Sequence, residues 1–236
     1  SDFDIWNRIQ SPQIASEGNH ILYSIQTGEK DSKLMLKDKQ GNLIFHHDRS
    51  ENGVFTYDSK FALFKIKEWK DSITEMKRRK VKKDKMPLDS LGIFNIDKLT
   101  LQKISNIKSY KIPEKWSGFI AYTYEILSGQ KEKKNQDSEV SVKNKSSKKL
   151  KKPSSKNGYP LVIRNLDSSV EDTIPYVTNY TFSKKSESLA YTTTGIKDSI
   201  QAGVYVKNLK SNSIKHVYSS HDKAQYYKLS LSDSGK

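Results

Sequence analysis

YDSKFALF, residues 57–64, joins a polar turn to a short apolar run that ends in an aromatic side chain. The pattern recurs in SEGNHILY ending at Tyr23, EKWSGFIAY ending at Tyr122 and KKSESLAY ending at Tyr191. A second strand-like run follows each one and stops at a turn-forming residue: KLMLKD at Asp38, LGIFN at Asn95, PLVIRN at Asn165 and VYVKN at Asn208. β-branched and aromatic content bounded by Gly, Asn, Asp and Ser is the signature of strands and hairpins.

Spacing turns these likenesses into a repeat. From Asp38 to Phe64, Asn95 to Tyr122 and Asn165 to Tyr191 the intervals are 26, 27 and 26 residues. From each aromatic to the end of its second strand they are 15, 31, 43 and 17 residues. One half of the unit is constant and the other absorbs insertions, always at the same loop. With a leading strand (VFTY, NYTF) and an outer one (LIFHH, LTLQKI, IKHVY), the unit has four strands in 41 to 45 residues. That period is the pattern of a β-propeller blade, which cannot bury its apolar faces alone. A β-sandwich with regularly spaced strands is the competing architecture; three nearly equal intervals favour the propeller.

The predicted fold is therefore all-β, a partial β-propeller of about four four-stranded blades plus the start of a fifth. Residues 1–10 are read as a lead, 11–52 as blade 1, 53–107 as blade 2 with an insertion at 67–87, and 108–175 as blade 3 with an insertion at 129–157. Blade 4 is read as 176–222, and residues 223–236 as a truncated fifth. The closing YYKLSLSDSGK, residues 226–236, reads as a first strand from Tyr226 to Leu231 and its hairpin turn, which makes the chain part of something larger.

Composition agrees with a folded, strand-rich chain. Of the 236 residues, 34% are hydrophobic, 13 are Tyr and 8 are Phe. The mean hydropathy of −0.79 places much of the chain in water. No apolar run reaches the ~18 residues of a membrane span, so a soluble chain is expected, and Ser1, with no leader pattern after it, reads as a processing boundary. Absence of Cys excludes disulfides, thiolate metal sites and a Cys nucleophile. The net charge of +15 is not spread evenly: residues 67–87 hold nine Lys or Arg against four acids, and residues 129–157 hold ten Lys against three. The basicity belongs to the two insertions.

The segments DIWNRIQSPQIASEGNHILYSIQ (4–26), FTYDSKFALFKIKEW (55–69) and KVKKDKMPLDSLGIFNIDKLTLQKISNIKSYKIPEKWSGFIAY (80–122), with the S-x-D-S/G-K turns, resemble the amino-terminal propeller of bacterial prolyl oligopeptidase family serine peptidases, of the type found in Bacteroidetes. The resemblance implies a seven- or eight-bladed propeller that limits substrate size, followed by an α/β-hydrolase domain carrying a Ser-Asp-His triad. It also implies peptide substrates and a periplasmic or extracellular location. This chain departs from the family's pattern by stopping before the ring closes and before any hydrolase domain.

The catalytic inventory fits a non-catalytic piece. A nucleophile elbow needs G-x-S-x-G, and the chain has none. His20, His46, His47, His216 and His221 fall in turns, outer strands or loops and read as structural or solvated. The His46-His47 side chains would leave a strand on opposite faces, which argues against a shared metal. No catalytic, cofactor-binding or metal-binding residue is expected, and no cofactor. Because dipeptidyl-peptidase relatives hold the substrate amino terminus with propeller carboxylates, Glu171-Asp172 is weighed as an anchor against an ordinary solvated turn. Asp4 and Trp6 are expected to pack onto the first blade, and Trp116 to lie in the core or between blades.

The two insertions differ in kind. Residues 71–83 predict a short helix capped by Asp71 or Ser72, with Trp69, Ile73 and Met76 on one stripe and Glu75 reaching Arg79. Residues 130–157 have almost nothing to bury and predict a disordered loop. That loop lacks the aromatic residues and Arg that nucleic-acid readout uses, so nucleic acid is an unlikely partner. Three readings follow: the propeller portion of a serine peptidase, paired with a carboxy-terminal hydrolase domain; a stand-alone propeller-type binding protein; and, with less support, a polyanion-binding protein acting through its Lys-rich loops.

Overall fold

The computed structural model describes residues 5–124, 152–196, 199–219, 226 and 228–235. The expected disorder of 130–157 lies outside the described residues except for 152–157. The described residues are all-β with one short α-helix. The first sheet contains β1 (Asn7–Ile14), β2 (His20–Thr27), β3 (Lys33–Asp38) and β4 (Leu43–Asp48) in sequence order. The second contains β5 (Ser50–Phe55), β6 (Phe61–Ile66), β7 (Ser90–Asn95) and β8 (Thr100–Ile104), with α1 (Lys70–Arg78) between β6 and β7. The third runs through seven strands: β9 (Ile107–Lys111), β10 (Phe119–Tyr124), β11 (Tyr159–Asn165), β12 (Glu171–Phe182), β13 (Ser188–Thr193), β14 (Gly203–Asn208) and β15 (Ile214–Tyr218). All three sheets are open and every pairing is antiparallel. No described helix is long and apolar enough to cross a membrane.

The repeat has a physical basis in register. Tyr23 faces Met35, Phe64 faces Gly92, Tyr122 faces Val162 and Tyr191 faces Tyr205, in each case three residues before the Asp or Asn that ends the second strand. Those terminal residues close the next hairpin as Asx turns. Asp38 Oδ1 accepts the N–H groups of Gln40 and Asn42, Asn95 that of Lys98, Asn165 those of Asp167 and Ser168, and Asn208 those of Lys210 and Ser211. The Asn42 side-chain amide also donates to Asp38 and holds its carboxyl below the usual range. The aromatic and the Asx residue thus fix one hairpin register four times over.

Arg49 (φ 58°), Asn106 (φ 59°) and Tyr176 (φ 56°) mark the places where one run of four strands gives way to the next. A left-handed residue breaks the ladder there and turns the chain to a new pairing partner. At Tyr176 the break is incomplete: residues up to Val177 pair with β11 and residues from Val177 onward pair with β13, so β12 continues through and joins what would be two sheets into one. The expected boundaries at 52/53, 107/108 and 175/176 sit close to these three residues. β1 starts at Asn7, inside the segment read as a lead, and β5 starts at Ser50, before the expected limit. The apolar faces predict these starts less well than the left-handed turns set them.

Side-chain alternation sends each sheet's two faces to different neighbours. Phe61, Leu63, Leu91 and Ile93 of the second sheet pack against Ile107, Ile120, Tyr122 and Val162 of the third. Ala62, Phe64 and Phe94, one residue out of phase, pack against Leu22, Leu34 and Leu36 of the first. Within the third sheet, Leu161, Ile163 and Ile174 meet Val177, Tyr180, Leu189 and Tyr191 across the β12 bend. A buried Leu of this kind contributes about 1.5–3 kcal/mol relative to exposure, so the packing between sheets stabilises more than any one hairpin.

Two expectations are corrected. The helix is capped by Trp69, with no side-chain cap, instead of Asp71 or Ser72. The Glu68 carboxylate takes the Trp69 N–H at 2.9 Å and Asp31 takes the Lys70 N–H at 3.2 Å, so acids from outside the helix satisfy its first donors and move its start back. The predicted Glu75–Arg79 pair is present at 2.9 Å. Trp6 is 65% exposed, and its carbonyl accepts the Gly28 N–H at the β2–β3 turn of the first sheet. Asp4 lies outside the described residues. Residues 228–231, expected to continue a strand, form none. The Ser183 hydroxyl and the Lys185 N–H both hold the Asp233 carbonyl, which fixes the segment to the β12–β13 turn instead of in a ladder.

Candidate functional site

The β6–β7 connection, the β2–β3 hairpin and the β4–β5 transition come together at one edge of the first two sheets. Between them lies a cleft of about 850 Å³ lined by charged side chains. Lys67, at the end of β6, reaches Asp89 at 2.8 Å and Glu51 at 3.2 Å. Burial pulls the Lys67 ammonium down, but its hydrogen bonds to the two carboxylates outweigh that and leave it above its ordinary value. It is a fixed cation, unsuited to act as a base or a Schiff-base amine.

Arg49, placed by its left-handed backbone, donates to the Lys67 carbonyl at 2.9 Å and to Glu68 at 3.4 Å, and its guanidinium lies 4.6 Å from the centre of the Trp69 ring. Lys70 spans to the opposite wall, its ammonium held by the carbonyls of Glu29 and Lys30 at 2.9 and 2.6 Å. These partly exposed pairs are individually worth about 0–1 kcal/mol, so their effect is to position α1 more than to stabilise it. The lining contains no His and no nucleophile–base pair. The arrangement suits docking of a charged or polar group.

A smaller recess of about 470 Å³ lies between Lys111, the β12–β13 turn and residues 229–233. The Lys111 ammonium donates to the Tyr180 carbonyl at 2.7 Å, and burial pulls it below its usual value.

The sequence candidates are not brought together. Among the described histidines, His20 opens β2, His46 and His47 sit on opposite faces of β4, and His216 stacks on Tyr205 with ring centres 4.6 Å apart. His221 lies outside the described residues. His47 Nδ1 is 2.8 Å from Ser50 Oγ, but Ser50 is fully buried and no substrate reaches it. Burial holds the His47 imidazole below its ordinary pKa despite the opposing bond to the Asp48 carbonyl. Glu171 and Asp172 point to opposite faces of β12. Glu171 accepts from Arg164 at 2.7 Å and from the Tyr122 hydroxyl at 2.8 Å, while Asp172 pairs with Lys207. Both carboxylates are committed to side chains on other strands and do not form one anchor. Trp116 donates to the Ser183 carbonyl at 2.9 Å and meets Phe182 edge-on at 5.4 Å, the packing role expected of it.

Sequence reasoning missed the Arg49–Lys67–Trp69 cluster. The available signal was the scarcity of Arg: the chain has five, and two of them, Arg49 and Arg164, make bonds across sheets or connections.

No family model matches this chain, and no curated protein matches it. Among solved structures it is similar to the β-propeller domain of the Trilobed protease from Pyrococcus furiosus, at 10% identity and a TM-score of 0.47 over 90% of this chain and 58% of that one. It is also similar to the Pyrococcus horikoshii acylaminoacyl peptidase, at 10% identity and a TM-score of 0.45 over 92% of this chain and 33% of that one. A third likeness is to a prolyl endopeptidase, at 10% identity and a TM-score of 0.48 over 91% of this chain and 30% of that one. The chain thus spans between about a third and three-fifths of the length of these proteins. At such identities and scores the likeness transfers neither blade number nor activity.

Proposed function

We propose that this chain is the non-catalytic propeller portion of a prolyl oligopeptidase family serine peptidase, acting outside the cytoplasm and restricting access of peptides to a hydrolase domain carried by the same polypeptide. What supports this reading first is the resemblance in residues 4–26, 55–69 and 80–122. The structural observation that carries it is the shared position of the two long insertions. The β6–β7 and β10–β11 connections both join the second and third strands of a four-stranded run, and the charged cleft opens at the first of them. A helix held there by Arg49 and Lys70 is suited to shaping a passage without taking part in chemistry.

The test has two stages. Sequencing the encoding gene past codon 236 is expected to show a G-x-S-x-G motif within several hundred codons; a stop codon without one sinks the reading. In the full-length product, replacing residues 70–83 by a short linker should raise kcat/KM for long peptides while leaving short chromogenic peptides nearly unchanged. Equal effects on both would remove the access role.

A further inference from the structure

Residues 77–85, KRRKVKKDK, hold seven Lys or Arg and one Asp, and all seven cations are exposed. Among the described residues the only carboxylate that pairs with them is Glu75, 2.9 Å from Arg79 and 4.0 Å from Arg78. A helix C-terminus presents about half a negative charge, which one or two cations answer. The run at the end of α1 carries far more charge than that end requires.

Backbone geometry adds a second observation. α1 closes in a Schellman motif: the Lys80 N–H donates to the Lys77 carbonyl and the Val81 N–H to the Met76 carbonyl, both at 3.0 Å. The residue at its left-handed position is Lys80, with φ 53°, where the motif favours Gly. A charged side chain thus stands where its backbone is strained, inside a run of like charges that repel one another. An anionic partner offsets that repulsion.

The form of the run selects among polyanions. Lys77, Arg78 and Arg79 leave the last turn ~100° apart around the axis. Lys80 then turns the chain, and Lys83–Lys85 form a 3₁₀ turn beyond it. The cations fan out around a knuckle instead of lining a groove that tracks one strand. Residues 70–89 contain no aromatic side chain on which bases could stack, and the Trp69 ring at the far end of α1 is taken by Arg49 at 4.6 Å. A broad, dense array of phosphates is what meets such a fan.

We infer that residues 77–85 dock this protein peripherally on an anionic phospholipid surface, with Lys80, Lys82, Lys83 and Lys85 among the headgroup phosphates. Each Lys or Arg brought to such a surface adds attraction that fades within a Debye length, so a cluster is needed and salt releases it. The inference rests on charge and backbone geometry, and stands whether or not the peptidase reading does.

Cosedimentation of the 236-residue chain with phosphatidylcholine vesicles, with and without phosphatidylserine, reads the outcome. Binding should require phosphatidylserine and disappear at high salt. The triple variant Lys80→Gln, Lys82→Gln, Lys83→Gln should bind roughly thirty- to hundredfold more weakly. A control with the same change in net charge at exposed positions, Lys98→Gln, Lys210→Gln, Lys215→Gln, should stay within about threefold of the wild type. Lys80→Gly should bind roughly three- to fivefold more weakly yet melt about 2–4 °C higher, because it removes a charge and relieves the left-handed backbone. No binding by the wild type, or equal losses in the two triple variants, overturns the inference. Tighter binding of a short single-stranded oligonucleotide than of the phosphatidylserine vesicles, lost in the same triple variant, overturns it in favour of nucleic acid. Unchanged circular dichroism in the triple variants separates a charge effect from misfolding.

Discussion

The Lys207 ammonium on β14 and the Asp172 carboxylate on β12 pair across the bend of the seven-stranded sheet, with Lys207 only 3% exposed. A buried ammonium requires its counter-charge, because removal of one partner leaves a desolvated charge unpaired. Asp172→Asn should destabilise the protein by about 2–3 kcal/mol, below the usual range for a buried pair because the Asp172 side chain is half-exposed. Lys207→Met, which removes the need for a partner, should lower stability much less. Urea midpoints of the two variants test the ordering, and equal losses would refute it.

Gly92 is matched to the Phe64 ring lying over it. A Cβ at Gly92 would sit 2.4 Å from Phe64 Cε2, and Phe64 is fully buried with nowhere to move. Gly92→Ala should destabilise by roughly 1–3 kcal/mol through overpacking. Adding Phe64→Leu should restore part of that loss, so thermal unfolding of the double variant should show a clearly non-additive result.

Ser24 on β2 is fully buried, and its hydroxyl lacks a hydrogen-bond partner among the described residues. A buried hydroxyl that has lost water without gaining a partner is a standing cost. Ser24→Ala should therefore raise stability by about 1 kcal/mol. A lower melting temperature would show that the hydroxyl has a partner after all.

His47 should make stability depend on mildly acidic pH. Burial lowers its pKa in the folded state below the ordinary 6.5, so the unfolded chain binds more protons as the pH falls. The contribution is complete above pH 6.5 and is lost as pH drops through the folded value. Wild type should lose stability below about pH 6.5 faster than His47→Gln, measured as urea midpoints across pH 5 to 8. Parallel curves would refute the assignment.

How far these features could be read from residues alone depends on their range. Tyr23, Phe64, Tyr122 and Tyr191, with the Asx residues after them, were legible because hairpin register is a local matter: an Asp or Asn side chain closes its own turn, and strand alternation decides which neighbour faces the aromatic. The Glu75–Arg79 pair was legible for the same reason, four residues apart on one helix. The start of α1 was not, since Asp31, which takes a helix N–H, comes from a different sheet.

The sequence by itself determined the all-β class, the repeated hairpin and the common position of the insertions, because each depends on side chains within one strand or turn. The tertiary structure decided how successive runs meet. Which residue turns left-handed at Arg49, Asn106 and Tyr176, why β12 runs on through its bend, and which carboxylate answers Lys207 depend on contacts between strands many residues apart. Such contacts form only when whole sheets stack, since a desolvated charge or ring is selected by the face that closes over it and leaves no local pattern in the chain.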